Sequence, residues 1–442
     1  MAKFTRRNFL KRSAGIAAGA ALSAERGLLL PGAAAADLAI TPEKGAKLRL
    51  LRWKRFVQGD EEQFLANTRR FTEATGVQVR IDAENWEDLR PKAAVAANVG
   101  AGPDIIMATD EDPQLYPEQL LDLSDVAEYL DKKYGGWFDA CRTYGTHAGR
   151  WIALPMAAAG GAVVYRKSML AAAGFGALPK DMDGFLKLCR ALKAKGLPAG
   201  LALGHATGDA NFWCYWVLWA FGGKQADEQN KVAIDSPQTV QALEYAKELY
   251  QTFAPGTLSW LDPSNNKAFL AGEISLTFNG ISIYYTAKTS SDPQIKAMVP
   301  DIQHAVLPAG SSGQPARGAL MFPAFIFKYT KYPNAAKEYL RFMMEREQFE
   351  PWQAASIGYI SHTLRAYESN PVWSADPQHL FFRDVVKHMR PYGYAGALGK
   401  SSAAAMADFV IVDMFAEVCT GQQTPREAAQ RAAKRLQRHY KA

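Results

Sequence analysis

Two runs of acidic residues come nearest to a catalytic arrangement in this sequence. Glu61-Glu62 and the run at 110–112 contain carboxylates that could serve as the acid and base of a glycoside hydrolase. Both runs lie in polar stretches, where we expect nothing to raise the pKa of a carboxyl group. The sequence contains no GxSxG, HExxH or Walker pattern. We therefore expect a protein that is not an enzyme, with an exported carbohydrate-active hydrolase as the alternative from another class.

Metal and cofactor sites are not indicated either. The seven histidines show no ligand spacing, and the Gly-Ala-Gly-Pro run at 100–103 lacks the third glycine of a dinucleotide fingerprint. The four cysteines have no CxxC spacing; they are Cys141, Cys189, Cys214 and Cys419. We expect no catalytic residues, no metal and no cofactor, and either buried free thiols or one late-formed disulfide.

The amino terminus has the pattern of an export signal. The run TRRNFLK at 5–11 matches the twin-arginine motif, and four alanines at 33–36 offer a cleavage site before Asp37. The interrupted apolar run between them is too short to span a bilayer. We expect a twin-arginine signal peptide over residues 1–36, cleavage near Ala36, and a mature protein in the periplasm.

Most of the positive charge belongs to this segment. The whole chain has a formal charge of +7, and residues 1–36 hold six Lys or Arg side chains against one acid. The body of the protein is therefore nearly neutral, which gives no electrostatic basis for binding nucleic acid.

The first part of the body predicts a parallel α/β sheet. Apolar and polar residues alternate in strands at 47–56, 77–81 and 104–107, and two helices separate them at 61–75 and 87–99. Ligands of such sheets lie beyond the carboxyl ends of the strands. Trp53, Trp86 and Asp110 follow the first, second and third strands, so we expect them to lie near a site.

A chain of 442 residues is too long for one core, and the stretch at 150–170 suggests where two lobes join. A strand at 151–154 is interrupted at Pro155, small residues follow at 157–161, and a second strand begins at Ala162. We interpret this as a flexible crossing between lobes beside a ligand cleft. An ordinary hairpin within one domain is the alternative.

Further elements follow from capping signals and periodicity. We predict a second crossing in the glycine-rich loop at 308–318. The predicted helices are 181–195, 211–221, 236–253, 266–271, 334–347 and 424–440, and the predicted strands are 201–203, 274–278, 302–307 and 319–327.

Nine short runs, in order along the chain, resemble the extracellular solute-binding proteins of ABC importers, family 1, the carbohydrate-type family that includes maltose-binding protein. They are FTEATGVQV (71–79), GAGPDIIM (100–107), GRWIALPM with VVYRKSMLAAAG (149–174), FGGK (221–224), DSP (235–237), AFLAGEISLTFNG (268–280), LPAG (307–310), YPNAAKEYLRFM (332–343) and TPREAAQRA (424–432).

The resemblance implies a two-lobed fold of the class II binding-protein type, each lobe a doubly wound, mostly parallel sheet flanked by helices. It places the N-terminal lobe at 37–156 plus 319–350, the C-terminal lobe at 160–315 plus 351–442, and hinges near 156–160 and 316–318. Such a protein captures a small solute, most often a sugar, and delivers it to the permease subunits of the transporter. Glycerol phosphates and polyamines are the other solute classes. We expect a monomer that binds no nucleic acid.

A sugar site needs flat apolar faces for the C–H side of the ring and planar polar groups for the hydroxyls. The polar candidates are Asp110, Asn279 and Arg317, the second because the loop after its strand faces the cleft in the resembled family. Ser282 replaces the aromatic residue of maltose-binding protein, which argues against a long maltodextrin. The candidate faces, each of which could equally be a core residue, are Trp53, Trp86, Trp213, Trp216, Trp352, Tyr359, Tyr392 and Tyr394.

Overall fold

The computed structural model describes residues 38–313 and 319–441. The predicted signal peptide, the Arg317 candidate and the predicted hinge at 316–318 lie outside the described residues. The strands are β1 Lys47–Trp53, β2 Gln78–Glu84, β3 Ile105–Met107, β4 Thr146–His147, β5 Arg150–Trp151, β6 Leu154–Gly160, β7 Ala162–Arg166, β8 Leu276–Asn279, β9 Ile302–Ala305 and β10 Ala319–Ile326.

The α-helices are distributed over the whole described chain. They are α1 Gln58–Thr75, α2 Trp86–Val99, α3 Ser124–Lys133, α4 Asp139–Gly145, α5 Lys167–Ala172, α6 Met182–Ala194, α7 Asp209–Ala220, α8 Pro237–Tyr250, α9 Asp262–Leu270, α10 Ser282–Thr289, α11 Pro293–Lys296, α12 Pro333–Met343, α13 Arg346–Ala355, α14 Leu380–Arg383, α15 Lys400–Ala407, α16 Val410–Cys419 and α17 Pro425–His439.

The first sheet has the order β2-β1-β3-β10-β6. β1 is parallel to both β2 and β3, as predicted, and β10 runs antiparallel between β3 and β6. The β-α-β-α-β order of residues 47–107 therefore forms the parallel half of a mixed sheet, with the carboxyl ends of its strands at one edge.

The second sheet has the order β8-β7-β9, and its central strand is antiparallel to both neighbours. This differs from the mostly parallel sheet expected in each lobe. Parallel pairing is confined there to single bridges such as Ala199 with Leu276, and the predicted strand at 201–203 does not form. We call the first sheet with its packed helices the first lobe, and the second sheet with its packed helices the second lobe.

The link between the lobes is shorter than predicted. β6 continues through Pro155, so the break expected there is wrong. Pro155 pairs with Pro323 beside an irregularity of β10, where the missing N–H groups disturb the ladder least. Only Gly161 separates β6 from β7, and a β-carbon on it would come within 2.2 Å of the Phe278 ring. Glycine is required here by close packing.

Two apolar cores accompany the two sheets. The side chains of β7 alternate between them: Val164 belongs to the first core and Val163 to the second. Residues 352–386 contribute to the first core, including Trp352 and Tyr359, although we assigned 351–442 to the other lobe. The chain joins the second core again at Tyr392. The packing difference arises because α13 lies against α1 of the first lobe.

Capping residues position several helices as predicted. Asp181 accepts a hydrogen bond from the backbone N–H of Gly184 at 2.8 Å, and Ser236 accepts one from Thr239 at 3.2 Å. Thr424 and Glu427 form the capping box that opens α17. The helix expected at 334–347 ends at Met343, and α13 follows as a separate helix.

Two further features bear on the predicted class of protein. The four cysteines are buried and unpaired, as free thiols. Across residues 38–313 and 319–441, the helices lack the combination of length and apolar character needed to cross a bilayer, and metal-ligating side chains form no cluster of three or more.

Candidate functional site: a cavity between the lobes

A narrow cavity lies where the carboxyl edge of the first sheet meets the second lobe. Its volume is about 30 Å³, far below the roughly 300–1,000 Å³ of small-molecule sites. The first lobe contributes Phe56, Trp86, Ala159, Gly160, Leu320 and Tyr359, and the second contributes Thr207, Gly208, Asp209, Phe212, Asp262, Asn279 and Gly280. The lobes are thus nearly in contact, and a solute of several carbon atoms can enter only if they separate.

Aromatic rings form the first-lobe side of this cavity. Trp86, the first residue of α2, stacks on Trp53 with ring centroids 4.5 Å apart and planes 13° apart. Phe56 lies edge-on to Trp86 at 6.5 Å and roughly parallel to Tyr359 at 6.2 Å. Because Trp53 supports it from behind, Trp86 presents a fixed ring face to the cavity.

Carboxyl groups form the second-lobe side. Asp262, at the start of α9, accepts hydrogen bonds from the backbone N–H of Gly208 at 3.0 Å and of Asp209 at 2.8 Å. It therefore caps the amino terminus of α7, although the two aspartates are 53 residues apart. Burial raises the pKa of Asp262 to about 6.

Asp209 is the less satisfied of the two acids. Burial, together with the neighbouring Asp262, raises the pKa of its carboxyl group well above the usual range. Its Oδ2 atom has no hydrogen-bond partner in the described part of the chain. This unpartnered carboxyl oxygen is a position that a hydroxyl group of a solute can satisfy.

Asn279 completes the polar side at the end of β8. Its amide nitrogen donates to Asn265 Oδ1 at 3.3 Å and to Asn266 Oδ1, and its own Oδ1 accepts from Gly280 N at 2.6 Å and Ser282 Oγ at 3.1 Å. The asparagine is thus held rigidly at the cavity wall by its own lobe.

Charge in the cavity has one sign. The described residues that line it include two aspartates and no lysine or arginine. Glu87 lies near enough to contribute to the raised pKa of Asp262. Such a lining suits hydroxyl or ammonium groups and opposes phosphate groups, which need cationic or N–H partners.

Three of the residues selected from the sequence line this cavity: Trp86, Asn279 and Tyr359. Trp53 lies one layer behind, where its indole N–H donates to Asp60 at 3.2 Å. Trp352 donates to the other oxygen of Asp60 at 2.8 Å and is fully buried in the first core.

The second-lobe aromatic candidates are core side chains in the structure. Trp213 donates its indole N–H to Ala202 O, and Trp216 donates to Pro308 O at 2.9 Å. Tyr392 is buried against Tyr215, with ring centroids 4.8 Å apart. Tyr394 is half-buried at the edge of the same group. None of these four rings lines the cavity.

The acidic run at 110–112 is buried, which corrects the solvated environment that we expected. Asp110 accepts a hydrogen bond from the backbone N–H of Met321 at 2.9 Å, and burial raises its pKa well above the usual range. Burial also raises the pKa of Glu111 to about 7, and Asp112 pairs with Arg90 at 2.6 Å. Asp110 thus joins the third strand-end loop to β10 and does not line the cavity.

Sequence reasoning missed Phe56, Asp209 and Asp262. Asp262 precedes Pro263 at a helix start, a capping signal that was available in the sequence. Asp209 gave no such signal, because its role depends on a contact with a residue far along the chain.

Comparison with known proteins agrees with this architecture. The family described as "Bacterial extracellular solute-binding protein" matches residues 67–381. The chain therefore belongs to the bacterial extracellular solute-binding proteins. Members of this family are binding proteins.

Individual relatives are distant. A probable ABC transporter-binding protein of Deinococcus radiodurans is 24% identical over 275 residues, which is 60% of this chain and 63% of that protein. The chain thus spans less than two thirds of the length of this curated relative.

Two solved structures share the fold. The maltose-bound MalE3 of T. maritima has a TM-score of 0.76 at 21% identity, covering 89% of this chain and 99% of its own. A D-mannitol-bound ABC transporter solute-binding protein of Agrobacterium vitis has a TM-score of 0.74 at 18% identity, covering 89% and 98%. The mixed α/β fold with two lobes is the fold of these proteins.

Proposed function

We propose that this chain is the substrate-binding protein of an ABC import system, which captures a neutral, hydroxyl-rich solute, a sugar or a polyol, between its lobes. The observation that carries the proposal is that three aromatic rings of the first lobe and an unpartnered carboxyl oxygen of the second lobe line one cavity, whose described lining includes no lysine or arginine. The maltose and mannitol bound to the two neighbours belong to the same chemical class.

Each side of the cavity matches one part of a sugar. The C–H face of a sugar ring is apolar and packs on the rings of Phe56, Trp86 or Tyr359. The hydroxyl groups of the solute replace the missing partner of Asp209. An unpaired buried carboxyl is costly, so the closed form gains free energy when a hydroxyl fills that position.

Closing of the lobes supplies the signal that a permease reads. Solute between the lobes favours the closed form because only there do both sides of the cavity contact it. We infer that the link at Gly161 between β6 and β7 serves as a hinge, and that the second hinge lies near 316–318 as the resemblance implies.

The cellular setting of this proposal follows from the predicted signal peptide. We infer export by the twin-arginine pathway, cleavage near Ala36, and work in the periplasm as a monomer that meets the permease subunits at the membrane.

Calorimetric titration of the purified protein with maltose, D-mannitol, glycerol 3-phosphate and spermidine tests the proposal. We expect binding of a sugar or polyol, and a loss of about tenfold in its affinity in Asp209→Ala. Asp139→Ala is the matched control, since the Asp139 side chain is 99% exposed and does not line the cavity.

Three outcomes would overturn the proposal. Binding of glycerol 3-phosphate alone would mean that the acidic lining does not decide the solute class. Binding of spermidine alone would make the acid pair an ammonium site. Release of products from a panel of glycans would make the protein a hydrolase.

A further inference from the structure

A second, larger compartment opens beside the cavity on the surface of the same cleft. Its volume is about 390 Å³, within the range of small-molecule sites. Thr207 lines both spaces, and Trp86 and Glu87, adjacent in the first turn of α2, line one space each. The inner cavity and this outer compartment are therefore consecutive parts of one cleft.

A pair of stacked rings forms one wall of the outer compartment. The rings of His205 and Phe409 lie 4.4 Å apart with planes 4° apart. His205 Nε2 is hydrogen-bonded to Asp413 Oδ1 at 2.8 Å, and Asp413 Oδ2 accepts from Arg435 at 2.7 Å. The imidazole is thus held in place from the second lobe, and the ring of Phe409 is half-buried.

The backbone at Phe409 is strained. Its φ is +51° and its ψ is +31°, a left-handed conformation that a bulky residue rarely adopts. It lies between α15 and α16, where continuation of the helix would direct its ring elsewhere. Backbone strain of this kind concentrates at sites where a side chain must be presented to a ligand.

The opposite wall carries an unpaired acceptor and an unpaired donor. Glu87 Oε1 and Arg90 Nη2 are buried and have no hydrogen-bond partner among residues 38–313 and 319–441. Arg90 is oriented by Asp112, which accepts from its Nε at 2.6 Å. An acceptor and a donor three residues apart on one helix can bind two hydroxyl groups of a sugar ring, one of which donates while the other accepts.

We propose that the outer compartment binds a second ring of the solute, so that the protein selects a solute of two or more linked sugar rings over a single sugar or a linear polyol. This inference rests on the proposed function. The aromatic wall of His205 and Phe409 takes the C–H face of the second ring, and Glu87 and Arg90 take its hydroxyl groups.

Calorimetry with matched single and double rings tests this inference. The probes are D-glucose, D-mannitol, maltose, laminaribiose and cellobiose. We expect at least one disaccharide to bind at least tenfold more tightly than D-glucose and D-mannitol. Phe409→Gly removes the ring while glycine accepts the positive φ, so the fold is preserved. We expect this variant to lose at least tenfold in disaccharide affinity and less than twofold in affinity for D-glucose or D-mannitol.

Ala148→Gly is the backbone control, since Ala148 also has a positive φ, of 48°, and lies between β4 and β5, outside both compartments. It leaves all affinities unchanged. Equal affinity for single and double rings, or an equal loss for both in Phe409→Gly, would overturn the second-ring site while leaving the proposed function intact. Absence of binding by every sugar and polyol would instead overturn the proposed function itself, and the inference with it.

Discussion

The two lobes bring different chemistry to the same cavity. The first lobe contributes most of the rings, with Trp86 supported by Trp53, whereas the second contributes the capping pair Asp209 and Asp262 beside one ring, Phe212. The tryptophans of the second lobe that were candidates, Trp213 and Trp216, lie inside its core. The contrast teaches that the number of tryptophans near a binding site is a poor guide. What matters is whether the fold places the ring at the carboxyl edge of the sheet with a face toward the other lobe, as it does for Trp86.

The largest effect on solute affinity is expected at Trp86, which lines the cavity, in contrast to Trp213, which lies in the core. Trp86→Ala removes the ring face that lines the cavity, and we expect it to weaken solute affinity by about 2 kcal/mol, or about thirtyfold. Calorimetry with the tightest sugar of the panel measures this. The fold of the variant is checked by circular dichroism.

Trp213→Phe is the matched control for that variant. Trp213 is fully buried and hydrogen-bonded to Ala202 O, so its replacement lowers the free energy of unfolding but leaves the affinity unchanged. Unchanged affinity in Trp86→Ala, or a large loss in Trp213→Phe, would reverse the assignment of the two rings.

A smaller effect concerns a contact between the lobes. Glu111 of the first lobe accepts hydrogen bonds from the backbone N–H of Tyr392 at 2.8 Å and from the Ser402 hydroxyl. Burial raises the pKa of Glu111 from 4.5 to about 7. Between these values the folded protein holds a proton that the unfolded chain releases. The contribution of Glu111 to the free energy of unfolding is therefore full below pH 4.5 and is lost as the pH rises to 7.

Glu111→Gln should make this slope shallower by up to about 1.4 kcal/mol per pH unit. Urea unfolding at half-unit steps from pH 4.5 to 7.5 measures the slope. Glu273→Gln, at an exposed position after α9, serves as the control and retains it. A slope that is identical in Glu111→Gln and in the wild-type protein would mean that Glu111 titrates normally.

Local signals in the sequence predicted most of the fold. The Ser236 and Thr424 caps marked the starts of their helices, because a capping side chain bonds to a backbone group three residues away. The strand ends led to Trp86 and Asn279 for a similar reason: the carboxyl ends of neighbouring strands converge.

The remaining features depend on contacts that are distant in the chain. Asp209 joins the site only because Asp262 caps its helix, and no spacing rule connects the two. Trp216 looked like a candidate face because a helix buried on every side resembles, in sequence, one that exposes its rings. Pro155 was read as a break because the sequence does not reveal that its partner is Pro323.

Small-angle scattering of the purified protein, with and without its tightest sugar, tests the central claim most directly. Because the cavity of the closed structure holds only about 30 Å³, the free protein must open to admit a solute. The account predicts a smaller radius of gyration at saturation with the sugar than in its absence. An identical radius under both conditions, for a sugar whose tight binding calorimetry has established, would contradict closure of the lobes on the solute.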